Sequence, residues 1–337
     1  TPLWDALHAQ GVEVKLFHAL TGVAPTADGA DIGRVTLRKQ AEDADPGKPY
    51  DPFVAVNGLR CWPSEPDWSQ LKDGAALKDH AHFEDTHDDT SVGDPIELEL
   101  GRNFDAVVLA MPPEALKQVT TPLRAAPRWA TMLDRSVSVG TVAFQLWLKS
   151  PSADLGFQVD PDRPPPVSAY AQPFATWADM SHLLAQEDWS GWRVTPQSIH
   201  YFCGPMPVPG GRTGMVVPAP VFERQAREKA GDWMTPFIST LWPRIDSLGP
   251  RRDLVVSEYY RANTDPSELY VQVPPGTVQH RLAPDSRVFG NLYIAGDWTL
   301  LPFSGGCVET AVWSAMIAAQ SLARTVLPGT TLPIDNH

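Results

Sequence analysis

The stretch from Asn291 to Arg324, NLYIAGDWTLLPFSGGCVETAVWSAMIAAQSLAR, constrains this chain more than any other. Asn291 to Ala295 are mostly apolar and read as a short strand. Gly296-Asp297 breaks that strand at its carboxyl end, and Gly305-Gly306 marks a place where the backbone can come close to another group. From Val308 onward, Val308, Ala311, Val312, Ala315, Ala318, Ala319 and Leu322 recur at helical spacing. Glu309 falls in the first turn, where a carboxylate suits the positive end of the helix dipole. The stretch therefore reads as strand, turn, glycine loop and helix.

That order of elements suits a polyanion or cofactor. A helix N-terminus offers unpaired N–H groups, and glycines remove the side chains that would block approach. An acidic residue just after a strand can accept hydrogen bonds from ribose or ribityl hydroxyls. An ordinary strand-turn-helix with a Gly-Gly turn would look the same on spacing alone.

The residues Ala295-Gly296-Asp297-Trp298-Thr299, followed by Gly306, Glu309, Ala311 and Ser314, resemble the carboxyl-terminal FAD-binding segment of the flavin amine oxidase and carotenoid (phytoene) desaturase superfamily. The Gly-Asp-Trp-Thr form leans towards the desaturases. Thr310 and Ala315 stand where that family carries glycine. The resemblance implies FAD as cofactor, with Asp297 on its ribityl or pyrophosphate part and the amides around Val308 facing the isoalloxazine. The cofactor-binding set it implies is Gly296, Asp297, Trp298, Gly305, Gly306, Cys307, Val308 and Glu309. Two further stretches match the same family in order: Val12 to Leu37, and Ile96 to Pro113, where Asp105, Val107, Val108, Ala110 and Pro112 follow its D-x-V-V-x-A-x-P run.

No G-x-G-x-x-G occurs anywhere in the 337 residues, so the phosphate-binding fingerprint of a dinucleotide fold is missing. The expected fold class is α/β: an incomplete FAD-binding Rossmann-like domain plus a substrate domain of mostly antiparallel sheet and helices. Residues 1–37, 94–126 and 288–327 are expected to form the FAD-binding half, 38–93 an insertion, 127–287 the substrate domain and 328–337 a polar tail. A half-sheet with an open parallel edge implies a second polypeptide, or a fragment cleaved from the same precursor, that carries the missing motif.

Within the amino-terminal block, Leu3, Trp4 and Leu7 are the expected inward face of a helix stopped by Gly11. Val12 to Phe17 reads as a strand, and Ala24 to Leu37 as a hairpin turning at Asp28-Gly29. In the middle of the chain, Ser136 to Lys149, Ser198 to Cys203, Val255 to Arg261 and Leu269 to Val273 read as strands. Val221 to Leu241 reads as a helix with Val221, Ala226, Ala230, Trp233, Phe237, Ile238 and Leu241 inward, kinked at Pro236. The thirty-four prolines imply long ordered loops. Between Ala153 and Trp192 such a loop carries aromatic residues including Tyr170, Phe174 and Trp177.

A net charge of −13 argues against a nucleic-acid surface. No apolar run reaches the length of a membrane span and no signal peptide is visible, so a cytoplasmic location is expected. Cys61, Cys203 and Cys307 have neither metal nor redox spacing and read as free buried thiols. His80, His82, His87, Glu84, Asp85 and Asp88 match no defined metal site, and no metal is expected.

With FAD bound, the resemblance implies two-electron oxidation of a small-molecule substrate, an amine or an apolar isoprenoid, with electrons passing to the flavin. Phe303, Trp313 and Tyr259 are candidates for the substrate pocket, with Tyr260, Arg261 and His200 as further polar groups. No catalytic base is assignable. Two other classes stay open: a flavin-free scaffold or binding subunit, and a hydrolase using Thr1 as an N-terminal nucleophile.

Overall fold

The computed structural model describes residues 1–157, 169, 171–206 and 219–326; Tyr170 and the expected polar tail lie outside them. In chain order the described residues form helices α1 (Pro2–Ala9), α2 (Gly74–Leu77), α3 (Pro113–Val119), α4 (Pro127–Arg135), α5 (Ala219–Leu241), α6 (Arg251–Leu254) and α7 (Val308–Val326). The strands are β1 (His18–Pro25), β2 (Ile32–Lys39), β3 (Val54–Val56), β4 (Leu59–Cys61), β5 (Ile96–Glu99), β6 (Val107–Leu109), β7 (Val137–Leu148), β8 (Thr176–Asp179), β9 (Ser198–Met206), β10 (Val255–Asn263), β11 (Tyr270–Gln272) and β12 (Leu292–Ile294). The fold is α/β, with antiparallel sheets and one parallel pair. Two compact units divide the chain. One holds Thr1, Phe53–Ser64 and Val139–Thr264, and the other holds Pro2–Pro52, Glu65–Ser138 and Asp265–His337.

The first unit is built on an antiparallel sheet in the order β10-β7-β9-β8. The alternation of SVSVGTVAFQLWLK sends Val142, Phe144, Leu146 and Leu148 to the buried face. Register then sets Tyr260 opposite Phe144, Phe144 opposite Phe202, and Trp177 opposite Phe202. One row of aromatic rings thus crosses all four strands, and Phe144 and Phe202 stack at 4.6 Å. Helix α5 contributes Ala226, Ala230, Trp233 and Ile238 to the same core. Phe237, expected inward, is 43% exposed. It adjoins Ile238 on the helix surface, and one flat sheet face accepts only the stripe centred on Ala226, Ala230 and Trp233.

The second unit joins the antiparallel sheet β1-β2-β5 to the parallel pair β12-β6. Its core gathers Val23, Ile32 and Val35 with Leu109, Leu116, Trp129, Leu133, Leu292, Ile294 and Trp298. Asn291 ties the two sheets together. Its side-chain oxygen accepts from Ile32 N–H at 2.7 Å and its amide donates to Ile32 O at 3.0 Å, so it pairs with the start of β2 as a strand residue would.

Three local expectations fail in this unit. Helix α1 forms, but Leu3 and Leu7 are exposed and no residue of the helix is buried. Val12 to Leu16 stay outside any strand, with Val12 and Val14 exposed, and Phe17 has φ +55°. An alternating stretch becomes a strand only where another strand takes its N–H and C=O groups, and among the described residues no strand pairs with Val12 to Leu16. Val108, expected within a buried strand, is 45% exposed. Val107 and Leu109 bond to β12, which turns the N–H and C=O of Val108 to the opposite edge. Among the described residues no backbone group meets that edge.

Candidate functional site

Strand β12 is buried at all three positions, and two residues past its end stands Gly296, whose φ of +145° is a conformation open to glycine. A Cβ there would sit 2.5 Å from Trp298 Nε1. Gly296 N–H donates to Ser314 Oγ at 3.1 Å, and Thr299 Oγ1 donates to Gly296 O at 2.9 Å. Thr299 and Ser314 are both fully buried. The turn after β12 is therefore locked to α7 by two hydroxyls, and that lock fixes where Asp297 stands.

The loop before α7 has its own staple. Thr310 Oγ1 lies 2.5 Å from Gly305 O and 2.9 Å from Cys307 O. At Gly306 a Cβ would lie 1.9 Å from the Tyr270 hydroxyl, so any side chain there must displace the tyrosine. A cavity of about 590 Å³ opens between these parts, walled by Tyr270, Gln272, Arg281, Asp297, Trp298 and the 304–306 loop.

Of the sequence-expected set, Asp297, Trp298, Gly305 and Gly306 meet at this cavity. Trp298 is buried, and its ring belongs to the unit's core as well as to the cavity wall. Burial pushes the Asp297 carboxyl above its ordinary range, while the Arg281 charge and nearby backbone N–H groups pull it down. Cys307, Val308 and Glu309 are exposed and do not line the cavity. Hydrogen bonding to its own backbone N–H, then to Cys307, lowers the Glu309 carboxyl. Phe303 and Trp313 are 60% and 40% exposed and also lie off the wall. Tyr259 belongs to the antiparallel unit, on β10, and is exposed.

Arg281 was not singled out by the sequence. It follows the 3-10 turn Val278–His280 and precedes the buried Leu282, whose carbonyl accepts from Leu300 N–H at 2.9 Å. Its side chain donates to Gln272 O at 3.2 Å. Burial lowers the guanidinium's pKa, and the Asp297 charge raises it. An arginine beside an apolar residue in a proline-rich loop carries no periodic signal, and only the fold brings it to Asp297.

The helical face of α7 is rotated from the expected one. Thr310, Ser314 and Ala318 are buried, while Val308, Val312, Ala315 and Ala319 are exposed. The polar lock to Gly296 and Thr299 selects which stripe turns inward. None of the three cysteines is fully buried: Cys61 and Cys203 are partly covered and Cys307 is exposed. His200, by contrast, is wholly buried in the antiparallel unit. It accepts from Trp177 Nε1 at 3.3 Å and lies 3.1 Å from Ser198 Oγ. Thr1 donates its hydroxyl to Arg60 O. Among the described residues no group of three or more His, Cys, Asp or Glu side chains is arranged to hold a metal, and no helix is long and apolar enough to cross a membrane.

No family model matches the chain, and no curated protein matches it. Among solved structures it is similar to the crystal structure of an oxidoreductase from Methanosarcina mazei, at 9% sequence identity and a TM-score of 0.43. The likeness covers 94% of this chain and 52% of that one, so the chain spans about half the length of that structure.

Proposed function

We propose that this chain is one half of an FAD-dependent oxidoreductase of the amine oxidase or desaturase type, completed by a second polypeptide or fragment that carries the glycine-rich dinucleotide motif. The observation that carries this reading is the convergence of Asp297, Trp298, Gly305 and Gly306 on one cavity at the end of a parallel strand. These are residues of the motif that resembles the flavin segment, and they come from both of its halves. A half-buried carboxylate beside a glycine loop suits a hydroxyl-bearing cofactor chain. FAD, when bound, accepts two electrons from a substrate C–H bond. The residues of this chain would hold its polyol portion at Asp297 and exclude water with Trp298.

The missing half is supported separately. The open edge at Val108, the alternating stretch 12–16, with which no described strand pairs, and the exposed face of α7 are what a parallel α/β unit would cover. In this reading the substrate is an amine or an apolar molecule and is bound by the antiparallel unit.

The test is an absorption spectrum of the natively purified protein together with intact masses of every chain present. A flavin spectrum with a second chain bearing G-x-G-x-x-G is the expected result. A colourless, single-chain preparation that takes up no added FAD would overturn it.

A further inference from the structure

The cavity holds a charge that the flavin motif does not account for. Arg281 is 9% exposed, yet it lines the cavity wall. Among the described residues its side chain makes one hydrogen bond, to the Gln272 carbonyl at 3.2 Å. Among the described residues it enters no ion pair, and Asp297 acts on it through space without closing to contact. A guanidinium has five N–H donors and stays charged when buried. The Arg281 stem is buried, but none of its nitrogen atoms is both sealed from solvent and without a partner, so the donors not used on Gln272 stay open to a ligand. The remaining donors form a flat fork, which matches two oxygens of a phosphate better than any other common partner.

We propose that Arg281 is the anion anchor of this cavity, and that the cavity takes a phosphate ester that also carries hydroxyl groups. Asp297 on the same wall accepts from hydroxyls, so a polyol phosphate or nucleotide engages both groups at once. The Tyr270 hydroxyl and Ser304 add neutral polar surface beside them. The proposal deepens the FAD reading by placing a phosphate of the ligand on Arg281, but the anion site itself stands on the geometry of Arg281 alone.

The test titrates the purified full chain with inorganic pyrophosphate at low salt, by calorimetry, for the wild type, Arg281→Met and Arg281→Lys. The expected result is binding by the wild type, a loss of about tenfold or more in Arg281→Met, the scale of a charge-assisted hydrogen bond, and an intermediate affinity in Arg281→Lys. Near-ultraviolet circular dichroism checks that each variant is folded. Should Arg281→Met fail to fold, Arg281→Lys decides: weaker binding than the wild type supports the anchor, and equal binding overturns it. Absence of pyrophosphate binding in the wild type, or equal binding in both variants, also overturns it. If the chain carries flavin as purified, the same comparison is read as the flavin dissociation constant.

The two readings fail separately. FAD held equally well by the wild type and Arg281→Met overturns the anchor and leaves the flavoprotein standing. Pyrophosphate held through Arg281 by a preparation that takes up no flavin upholds the anchor and overturns the flavoprotein.

Discussion

Thr299 and Ser314 share a buried hydrogen bond of 2.9 Å between the turn after β12 and the second turn of α7. The same Ser314 oxygen takes the Gly296 N–H. Removing the hydroxyl in Ser314→Ala would leave the partly buried Gly296 amide without its partner, while Thr299 keeps its bond to Gly296 O. The expected cost is about 1–3 kcal/mol, read as a lower urea midpoint with an unchanged slope. A midpoint equal to that of the wild type would show that Thr299 alone holds the turn.

Gly306 and Tyr270 are the next pair to separate. Gly306→Ala drives a methyl into the tyrosine hydroxyl, with an expected loss of about 1–3 kcal/mol from overpacking. Tyr270→Ala removes the obstacle. In the double variant the glycine substitution should cost much less than it does alone. Additive losses in the double-mutant cycle would rule out the contact as the reason for the glycine.

His200 makes stability depend on pH. Burial pushes its pKa from 6.5 down to about 4, against the opposing pull of Asp179. Between those values the unfolded chain binds a proton that the folded chain refuses. The stabilisation is therefore complete above about pH 6.5 and is lost as pH falls towards 4, by about 3 kcal/mol at most. His200→Asn should be less stable at neutral pH but show a shallower fall between pH 6.5 and 4. Parallel unfolding curves for the two proteins across that range would assign the acid sensitivity elsewhere.

Val108 and Val312 test the missing half. Both are about half exposed, so Val312→Lys should change the stability of this chain by no more than about 0.5 kcal/mol. Val108→Pro removes an amide from the open strand edge. If a partner covers these surfaces, either change lowers its recovery on co-purification while this chain remains folded. Unchanged recovery of a second chain with both variants would place the interface elsewhere.

Local sequence chemistry was enough for the turn of the β1-β2 hairpin (though not for the start of β1 at His18), for the long alternating strand β7 and for helix α7. Each carries its signal within one element: a turn dipeptide, a period of two, or a run of good helix formers after paired glycines. The candidate site was legible in part for the same reason, since Gly296-Asp297 and Gly305-Gly306 are neighbours in sequence to the strand and helix they join. Helical period showed which residues of α7 share a face, but not which face turns inward. Thr310, Ser314 and Ala318 were buried over the more apolar Val308 and Val312 because Gly296 and Thr299 offered buried polar groups that only hydroxyls could satisfy. Val12 to Leu16 has the alternation of a strand, but among the described residues no strand pairs with it, and pairing is a property of two segments. Arg281 stands sixteen residues before Asp297 in the chain. No periodicity links them, and tertiary structure alone set a buried cation and a half-buried carboxylate on the same cavity wall.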